Sequence, residues 1–489
     1  MGRIAHMRWI PSLLILTTMG YAQTAIDIPT SVTKHSMTLK GQKFDYSVTA
    51  AQLPLRNAEG EVEVKMFYAA YTKDGVDAGT RPVVFAFNGG PGSATMWLHM
   101  GGLAPKMAPM PVGEKLPKPP YTVQDNPDTW LDFADVVCID APATGYSRLT
   151  KPDLGKKYFG VRQDIAAFTE FIRAWLTEHK RWSSPLFIAG ESYGGIRGSG
   201  LVKSLFDTGI AVSGFISISG TNNYMTLDGM RGNDATYISF LPTLATTAWY
   251  HKKLAPKFKT VEQVSKEALE FTNGEYALAL SRGDSLPVAD REKVAARMSE
   301  LIGLSKKFCL GANLRVPEFT FFKEIRREEG LAVGRLDSRF VAKEETQIGG
   351  QRSDDPTDDV MTAPYYSAFN DYVQNTLGVK TTMKYLIYGP VRPWAEPEGS
   401  YAETGSDLRD LIAANPHFRV LYMMGYYDLA CPYNGTLYTV NHMNLDTESR
   451  KQISYEYYPA GHMMYIEAKS RTKFHDDAAK FVRDTLAGK

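Results

Sequence analysis

Residues 186–195, LFIAGESYGG, decide the expected fold, because an apolar run stops abruptly at a serine that has glycines on both sides. Gly190 to Gly194 fit the pattern G-x-S-x-G, which occurs only here in the chain. A strand-like run before this pattern and a helix-like run after it are the context of a nucleophile elbow, a tight turn that holds a serine hydroxyl clear of the backbone. We therefore predict Ser192 as a nucleophile, with an ordinary strand-to-helix turn as the alternative.

Strand-like and helix-like segments alternate on both sides of this turn. The apolar runs at 83–87 and 136–140 each lead into a glycine-containing turn, and the apolar positions from Val161 to Leu176 follow a helical period. Residues 36–71 alternate between apolar and polar side chains, as antiparallel strands do. The pattern predicts an α/β fold with a mostly parallel sheet flanked by helices.

The middle of the chain, residues 222–385, differs because charged residues and helix-like periods dominate it. We interpret this stretch as a mainly helical cap insertion. It would separate a first part of the sheet domain at 23–221 from a second part at 386–489, and residues 1–22 would form a signal peptide.

The N-terminus has the order of an export signal. Arg3 and Arg8 precede or flank the apolar run WIPSLLILTTMG at 9–20, and Ala22 offers a small residue for cleavage. We expect the mature protein to begin near Gln23 and to be periplasmic or secreted. A buried N-terminal helix is the alternative, since the apolar run is short for a transmembrane span.

Charge and cysteine content argue against several classes of function. The 55 basic and 54 acidic residues give a formal net charge of +1, so no bulk attraction to nucleic acid or to acidic membranes is expected. The three cysteines, Cys138, Cys309 and Cys431, have neither the number of a disulfide framework nor the spacing of a metal site. We expect no metal and no organic cofactor.

A serine hydroxyl is a weak nucleophile and needs a base that an acid holds in place. In sheets that carry a nucleophile elbow, these partners follow in the chain order Ser, Asp, His. Asp428 comes just after the apolar run VLYMMGYY, and His462 lies in a loop after the next strand-like run. We therefore predict Ser192, Asp428 and His462 as a catalytic triad.

The reaction also needs N–H donors for the negative charge that develops on the carbonyl oxygen. The loop NGGPG at 88–92 follows a strand-like run and offers glycine amides with no side chain in the way. We predict the amides of Gly90 and Tyr193 as the oxyanion hole. Glycine loops also bind phosphate, but no Gly-Lys-Ser/Thr follows this one, which disfavours that alternative.

Together these segments resemble the serine carboxypeptidase family of the α/β-hydrolase fold. The resemblance spans residues 80–465 and rests on the stretches FNGGPGSATMWL, IDAPATGYSR, GESYGG, GYYDLACPY and YPAGHMMY. It implies a peptidase that acts through an acyl-enzyme on peptides with a free C-terminus. It further implies that Asn88 and Glu191 hold the C-terminal carboxylate of the substrate. Two carboxyl groups sit close together only if one keeps a proton, so Glu191 should be a hydrogen-bond donor with a raised pKa when substrate is bound.

Three positions depart from the family pattern. Gly102 stands where the family often has a further glutamate, Ser93 where it commonly has a cysteine, and Pro432 where it often has an asparagine. Part of the carboxylate-binding network is therefore missing or supplied from elsewhere, and an esterase or acyltransferase with the same triad is an alternative. A non-catalytic binding protein on a hydrolase fold is a further one. Cys431 either lines the pocket as a free thiol or is ordinary packing.

Overall fold

The computed structural model describes residues 26–111, 115–348, 354–395 and 400–488. The signal peptide predicted at 1–22 lies outside these ranges. No helix within them combines the length and the apolar composition that a membrane span requires.

The centre of the fold is one large sheet with the strand order β1-β2-β3-β7-β4-β9-β10-β13-β14, and β8 pairs with β3 at its side. Strands β7, β4, β9, β10, β13 and β14 run parallel, whereas β1, β2 and β3 pair antiparallel. The mostly parallel sheet predicted from the sequence is therefore present. The strands are β1 Ser31–Leu39, β2 Gln42–Arg56, β3 Val62–Lys73, β4 Val83–Phe87, β5 Lys106–Met107, β6 Gln124–Asp125, β7 Asp135–Ile139, β8 Arg148–Leu149, β9 Leu186–Glu191, β10 Gly214–Ile218, β11 Leu331–Val333, β12 Val341–Lys343, β13 Arg419–Gly425 and β14 Ile453–Tyr458.

Helices cover both faces of this sheet. Helices α3, α4 and α12 pack on one face, and α11 and α15 pack on the other. The helices are α1 Met96–Leu98, α2 Gly155–Tyr158, α3 Val161–Glu178, α4 Gly194–Asp207, α5 Ala235–Tyr250, α6 Val261–Phe271, α7 Ala277–Arg282, α8 Val288–Ile302, α9 Lys306–Gly311, α10 Glu318–Glu324, α11 Pro356–Asp371, α12 Gly405–Ala414, α13 Tyr433–Asn441, α14 Thr447–Arg450 and α15 Ala468–Leu486.

The central strands are apolar throughout because both of their faces are buried. In β4, Val84 and Ala86 belong to the core on one side of the sheet, and Val83, Phe85 and Phe87 belong to the core on the other. Successive strand residues point to opposite faces, so a strand covered on both sides reads as an unbroken apolar run. The carboxyl ends of β4, β9, β13 and β14 lead into the loops that carry the candidate site residues.

The chain between β10 and β13 forms helices α5 to α12 and the hairpin β11–β12. Helices α5 to α10 contribute to a separate apolar cluster of their own. Helix α11, in contrast, buries Met361, Tyr365 and Phe369 in the main core. The boundaries predicted for a cap at 222–385 stay a prediction, and α11 shows that part of this stretch packs as part of the sheet domain.

Candidate active site

Ser192 occupies a strained turn between β9 and α4. Its φ is 65°, in the left-handed region that side chains other than glycine rarely adopt. The turn is tight: a Cβ on Gly190 would stand 2.3 Å from the carbonyl oxygen of Gly194, and one on Gly195 would stand 2.4 Å from that of Thr221. Strain of this kind persists where the surrounding structure enforces it, and it is common at functional sites. The strand, turn and helix predicted around Ser192 are thus all present.

His462 and Asp428 form a buried hydrogen-bonded pair. His462 Nδ1 lies 2.8 Å from Asp428 Oδ2, and the two residues are 3% and 0% exposed. Asp428 Oδ1 accepts hydrogen bonds from the backbone N–H groups of Ala430, at 2.8 Å, and Cys431, at 2.9 Å. These three hydrogen bonds fix the carboxylate, so the imidazole that it holds has a defined orientation.

The imidazole has one nitrogen left for chemistry. Burial alone would lower the pKa of His462, but the charge and hydrogen bond of Asp428 outweigh it, so this pKa lies above its usual value. Within the described residues no hydrogen bond reaches Nε2, and His462 lines the same cavity as Ser192. The structure therefore brings all three predicted triad residues to one place, with the hydrogen bond observed between His462 and Asp428.

The glycine loop after β4 lies directly against the elbow. A Cβ on Gly89 would stand 2.4 Å from the backbone nitrogen of Tyr193, so only a glycine allows this approach. Gly90, with a φ of 108°, lines the cavity together with Ser192. In the described part of the chain, the amides of Gly90 and Tyr193 donate to no protein acceptor. Of the two predicted oxyanion donors, Gly90 therefore lies at the cavity, while Tyr193 is not among the residues that line it.

Glu191 lies between two hydrogen-bond donors. Asn88 Nδ2 donates to Glu191 Oε1, and the hydroxyl of Tyr465 donates to Glu191 Oε2, each over 2.7 Å. Asn88 is held in turn because its Oδ1 accepts from the N–H of Leu98 at 2.9 Å. Burial raises the pKa of Glu191 to about 7, although the positive charge of His462 and the two donors act in the opposite direction. Burial thus raises this pKa on its own, whereas a rise caused by the carboxylate of a bound substrate stays a prediction. Tyr465 is a partner that sequence reasoning missed.

A protein-family model described as serine carboxypeptidase matches residues 55–474 of the chain. This chain belongs to the serine carboxypeptidase family. A serine carboxypeptidase-like protein of Arabidopsis thaliana is 26% identical over 184 residues, which are 37% of this chain and 39% of that relative's length. A prohormone-processing carboxypeptidase of Saccharomyces cerevisiae has the same fold, with a TM-score of 0.52 and 12% identity over 90% of this chain and 91% of that chain. The fold is accordingly the predicted α/β-hydrolase fold.

Of the departures from the family pattern, Gly102 is the most informative. A Cβ on Gly102 would stand 3.0 Å from Phe474 Cε1 and 3.3 Å from Tyr465 Cβ. Aromatic side chains therefore fill the space in which a further carboxyl group would have to fit. The buried Ser93 pairs through its backbone with Tyr388, as an isolated bridge.

All three cysteines of the chain are free and buried. Burial raises the pKa of the Cys431 thiol, and the hydroxyl of Ser192 is its hydrogen-bond neighbour. Of the two alternatives for Cys431, packing describes it, because Cys431 is buried and is not among the residues that line the cavity.

Arg197 braces the elbow from below, and its role was not apparent in the sequence. It is 0% exposed, its Nε lies 2.7 Å from Asp164 Oδ2, and its Nη1 donates to the carbonyl oxygen of Asn88 over 2.6 Å. The guanidinium also stacks over the rings of Phe87 and Phe168. This buried pair ties α3, α4 and the glycine loop together.

A second support comes from the turn between β11 and β12. The backbone N–H of His462 donates to the carbonyl oxygen of Leu336 over 2.6 Å, and that of Gly461 donates to Asp337 Oδ2 over 3.1 Å. Asp337 is itself paired with Arg339, whose Nη2 lies 2.6 Å from Oδ2. The loop that carries the imidazole is therefore held by a turn located far from it in the sequence, which no local pattern announces.

The cavity in front of Ser192 has a volume of about 860 Å³. Its far wall comes from the chain between β10 and β13 and carries the partly exposed rings of Phe319 and Tyr388. Arg335 and several acidic side chains add charge to this wall, the acidic ones being Asp354, Asp355, Asp358 and Asp359. Throughout the described ranges, no three or more His, Cys, Asp and Glu side chains are grouped as metal ligands would be.

Proposed function

We propose that this protein is a serine-type carboxypeptidase that releases C-terminal amino acids from peptides through an acyl-enzyme. The observation that carries the proposal is the Asn88–Glu191 pair, which lines the same cavity as Ser192 and His462. A nucleophile beside a buried acid of raised pKa suits a substrate that presents its own carboxylate next to the scissile bond.

Acylation begins when Ser192 Oγ attacks the carbonyl carbon of the last peptide bond. His462 Nε2 takes the hydroxyl proton, while Asp428 accepts the Nδ1–H bond and so keeps the imidazole in the productive tautomer. The amides of Gly90 and Tyr193 donate to the oxyanion. His462 then protonates the leaving amine, the C–N bond breaks, and the amino acid departs. Water, deprotonated by the same imidazole, hydrolyses the ester and regenerates Ser192.

The C-terminal carboxylate of the substrate is recognised by Asn88 and protonated Glu191. An ionised Glu191 would repel this carboxylate, whereas the acid form donates a hydrogen bond to it. Because the pKa of Glu191 is about 7, the donor form is present at acidic pH and is lost as the pH rises through neutrality. Cleavage of free-acid peptides should therefore weaken with rising pH more than cleavage of simple esters does.

Export of the protein is a further part of the proposal. It rests on the basic, apolar and small residues in order over residues 3–22, and it makes the mature enzyme periplasmic or secreted. The N-terminal sequence of the protein purified from an expressing cell tests it: mature protein should begin near Gln23 and be found outside the cytoplasm. Full-length protein in the cytoplasm would contradict export and leave the enzymatic proposal intact.

The substrate class is tested with a blocked dipeptide and its C-terminal amide, compared across about pH 5 to 8. The peptidase should prefer the free acid strongly at the acidic end and lose that preference as Glu191 ionises. A serine-reactive organophosphorus probe should label Ser192, and the Ser192→Ala variant should resist it. Absence of labelling in folded protein would instead support a non-catalytic binding protein.

An esterase or acyltransferase is the second candidate function, and Gly102 is the observation that favours it. Without a second carboxyl group at that position, binding of the substrate carboxylate depends on Asn88 and Glu191. Equal cleavage of acid and amide, together with rapid ester cleavage, would assign the protein to this class.

A further inference from the structure

The ring of Tyr465 fits beside Glu191 because residues 101 and 102 are both glycine. A Cβ on Gly101 would stand 2.2 Å from Tyr465 Cε2 and 2.3 Å from Cδ2, a distance that real contacts do not reach. At Gly102, an added Cβ would stand 3.3 Å from Tyr465 Cβ and 3.0 Å from the ring of Phe474. The two glycines and Tyr465 therefore form one packing unit, and a glutamate at position 102 would compete with the tyrosine for this space.

Tyr465 uses this place to contact Glu191 without reaching the substrate. Its hydroxyl donates to Glu191 Oε2 over 2.7 Å, its side chain is 0% exposed, and it is not among the residues that line the cavity. The Tyr465 side chain also hydrogen-bonds with that of Asn88, so any influence of Tyr465 on binding is exerted through the Asn88–Glu191 pair.

A hydroxyl and a carboxyl group make different partners for Glu191. Two neighbouring carboxyl groups share a proton and titrate as a coupled pair. Burial raises the pKa of Tyr465 far above its usual value, so this hydroxyl keeps its proton and donates at every pH at which the enzyme works. Glu191 is then the single titrating member of the carboxylate-binding group.

We propose that Tyr465 is a positioning residue that replaces a second carboxyl group, orients Glu191 by a donor that does not titrate, and sets the pH above which free-acid peptides are no longer bound. This inference rests on the proposed carboxypeptidase function and assigns its upper pH limit to one side-chain contact.

The direction of the effect follows from what the hydroxyl stabilises. A donor favours the ionised form of the carboxyl group that accepts from it, so Tyr465 holds the pKa of Glu191 below the value that burial alone would give. The other ionisable groups that act on Glu191 are His462, Asp428, Tyr365 and Cys431. None of these changes when the Tyr465 hydroxyl is removed, so the pKa of Glu191 should rise.

The test follows KM for a free-acid dipeptide and for its ester across about pH 5 to 9, in Tyr465→Phe, Glu191→Gln and the double variant. In Tyr465→Phe the alkaline rise of KM for the acid should move upward by about one to two pH units, the value of one hydrogen bond to a charged group. Glu191→Gln should abolish the rise, and the double variant should behave as Glu191→Gln does.

The matched control is Tyr458→Phe, which removes another buried hydroxyl, bonded to Asp477 over 2.6 Å away from the cavity. Its pH profile should be that of the wild type. Suppose that the wild type prefers the free acid. The role of Tyr465 is then overturned if the alkaline rise of KM stays at the same pH in Tyr465→Phe, or if Tyr465→Phe still shifts the KM profile in the Glu191→Gln background. Equal treatment of acid and amide by the wild type overturns the carboxypeptidase proposal and this inference with it.

A second substitution guards against misfolding of Tyr465→Phe. Site-specific replacement of Tyr465 by 3-fluorotyrosine makes the hydroxyl a stronger donor with little change in shape, so the alkaline limb should move to lower pH. Opposite shifts in the two variants support the inference, and a shift of the same sign in both contradicts it.

Discussion

The side of the cavity that carries Ser192 and His462 is made of strand ends and buried loops, whereas the far side is made of helices and a hairpin from the chain between β10 and β13. On the first side, Asp428 and Glu191 are each held by several hydrogen bonds and are almost wholly buried. On the far side, Phe319 is 44% and Tyr388 is 59% exposed. The side chains that must be accurately placed for proton transfer are therefore held by the sheet, and the exposed apolar side chains of the far wall face them across the cavity.

The largest loss of activity is expected for substitution of the nucleophile, which lies on the sheet side of the cavity. Ser192→Ala should lower kcat by on the order of a millionfold, because the remaining groups cannot form an acyl-enzyme. Steady-state hydrolysis of a peptide and of an ester measures it. Ser454→Ala, an exposed serine on β14, should retain activity. Substantial turnover by Ser192→Ala would move the nucleophile elsewhere.

Asp428→Asn should lower kcat by about ten-thousandfold, because the amide favours the wrong imidazole tautomer while leaving the fold in place. The loss should be the same for ester and peptide substrates, since proton transfer serves both. Asp410→Asn, on the exposed surface of α12, is the control. A loss confined to peptides would assign Asp428 to binding rather than to proton transfer.

The buried pair beneath the elbow should govern stability rather than selectivity. Arg197→Met leaves the Asp164 carboxyl buried without its partner, and the free energy of unfolding should fall by about 3–5 kcal/mol. Denaturant unfolding measures the change, and adding Asp164→Asn should recover part of it. Arg335→Met, at an exposed position on the far wall, should change the stability by less than about 0.5 kcal/mol. Similar losses of unfolding free energy in Arg197→Met and Arg335→Met would contradict the view that the sheet side contributes more to stability than the far wall does.

The smallest effect is expected on the far wall. Phe319→Ala should alter the ratio of kcat/KM between peptides with large and small side chains by about tenfold or less, because one apolar contact discriminates weakly. Phe206→Ala, an exposed phenylalanine outside the cavity, should leave the ratio as it is. A general loss for all substrates would mean that Phe319 supports the fold.

The same division explains what could be predicted from the sequence. The elbow and Asp428 each follow a buried strand, and the apolar run before them marks the position at which the chain leaves the sheet. His462 instead follows the partly exposed edge strand β14. Arg197 lies in a helix and was not singled out, because only the assembled core shows that its guanidinium faces Asp164 and Asn88.

Tyr465 was quoted within a family stretch but had no role assigned to it. Its contact with Glu191 depends on space left by two glycines more than 350 residues earlier, and no local pattern encodes such a fit. The shape of the far wall could not be predicted from the sequence either, because it depends on how α10, α11 and the hairpin pack together. Helix α11 lies within the predicted cap range, yet it packs into the main core.

The contact between the hairpin turn and the His462 loop has a consequence for evolution and for engineering. Leu336 and Asp337 belong to the segment that borders the substrate, yet their oxygens accept the N–H groups of His462 and Gly461. Replacing this segment with one from a relative, in order to change substrate selectivity, would also replace these acceptors and weaken the positioning of His462. Successful exchanges between relatives should therefore retain this two-residue anchor and confine their variation to the surrounding rings and charges.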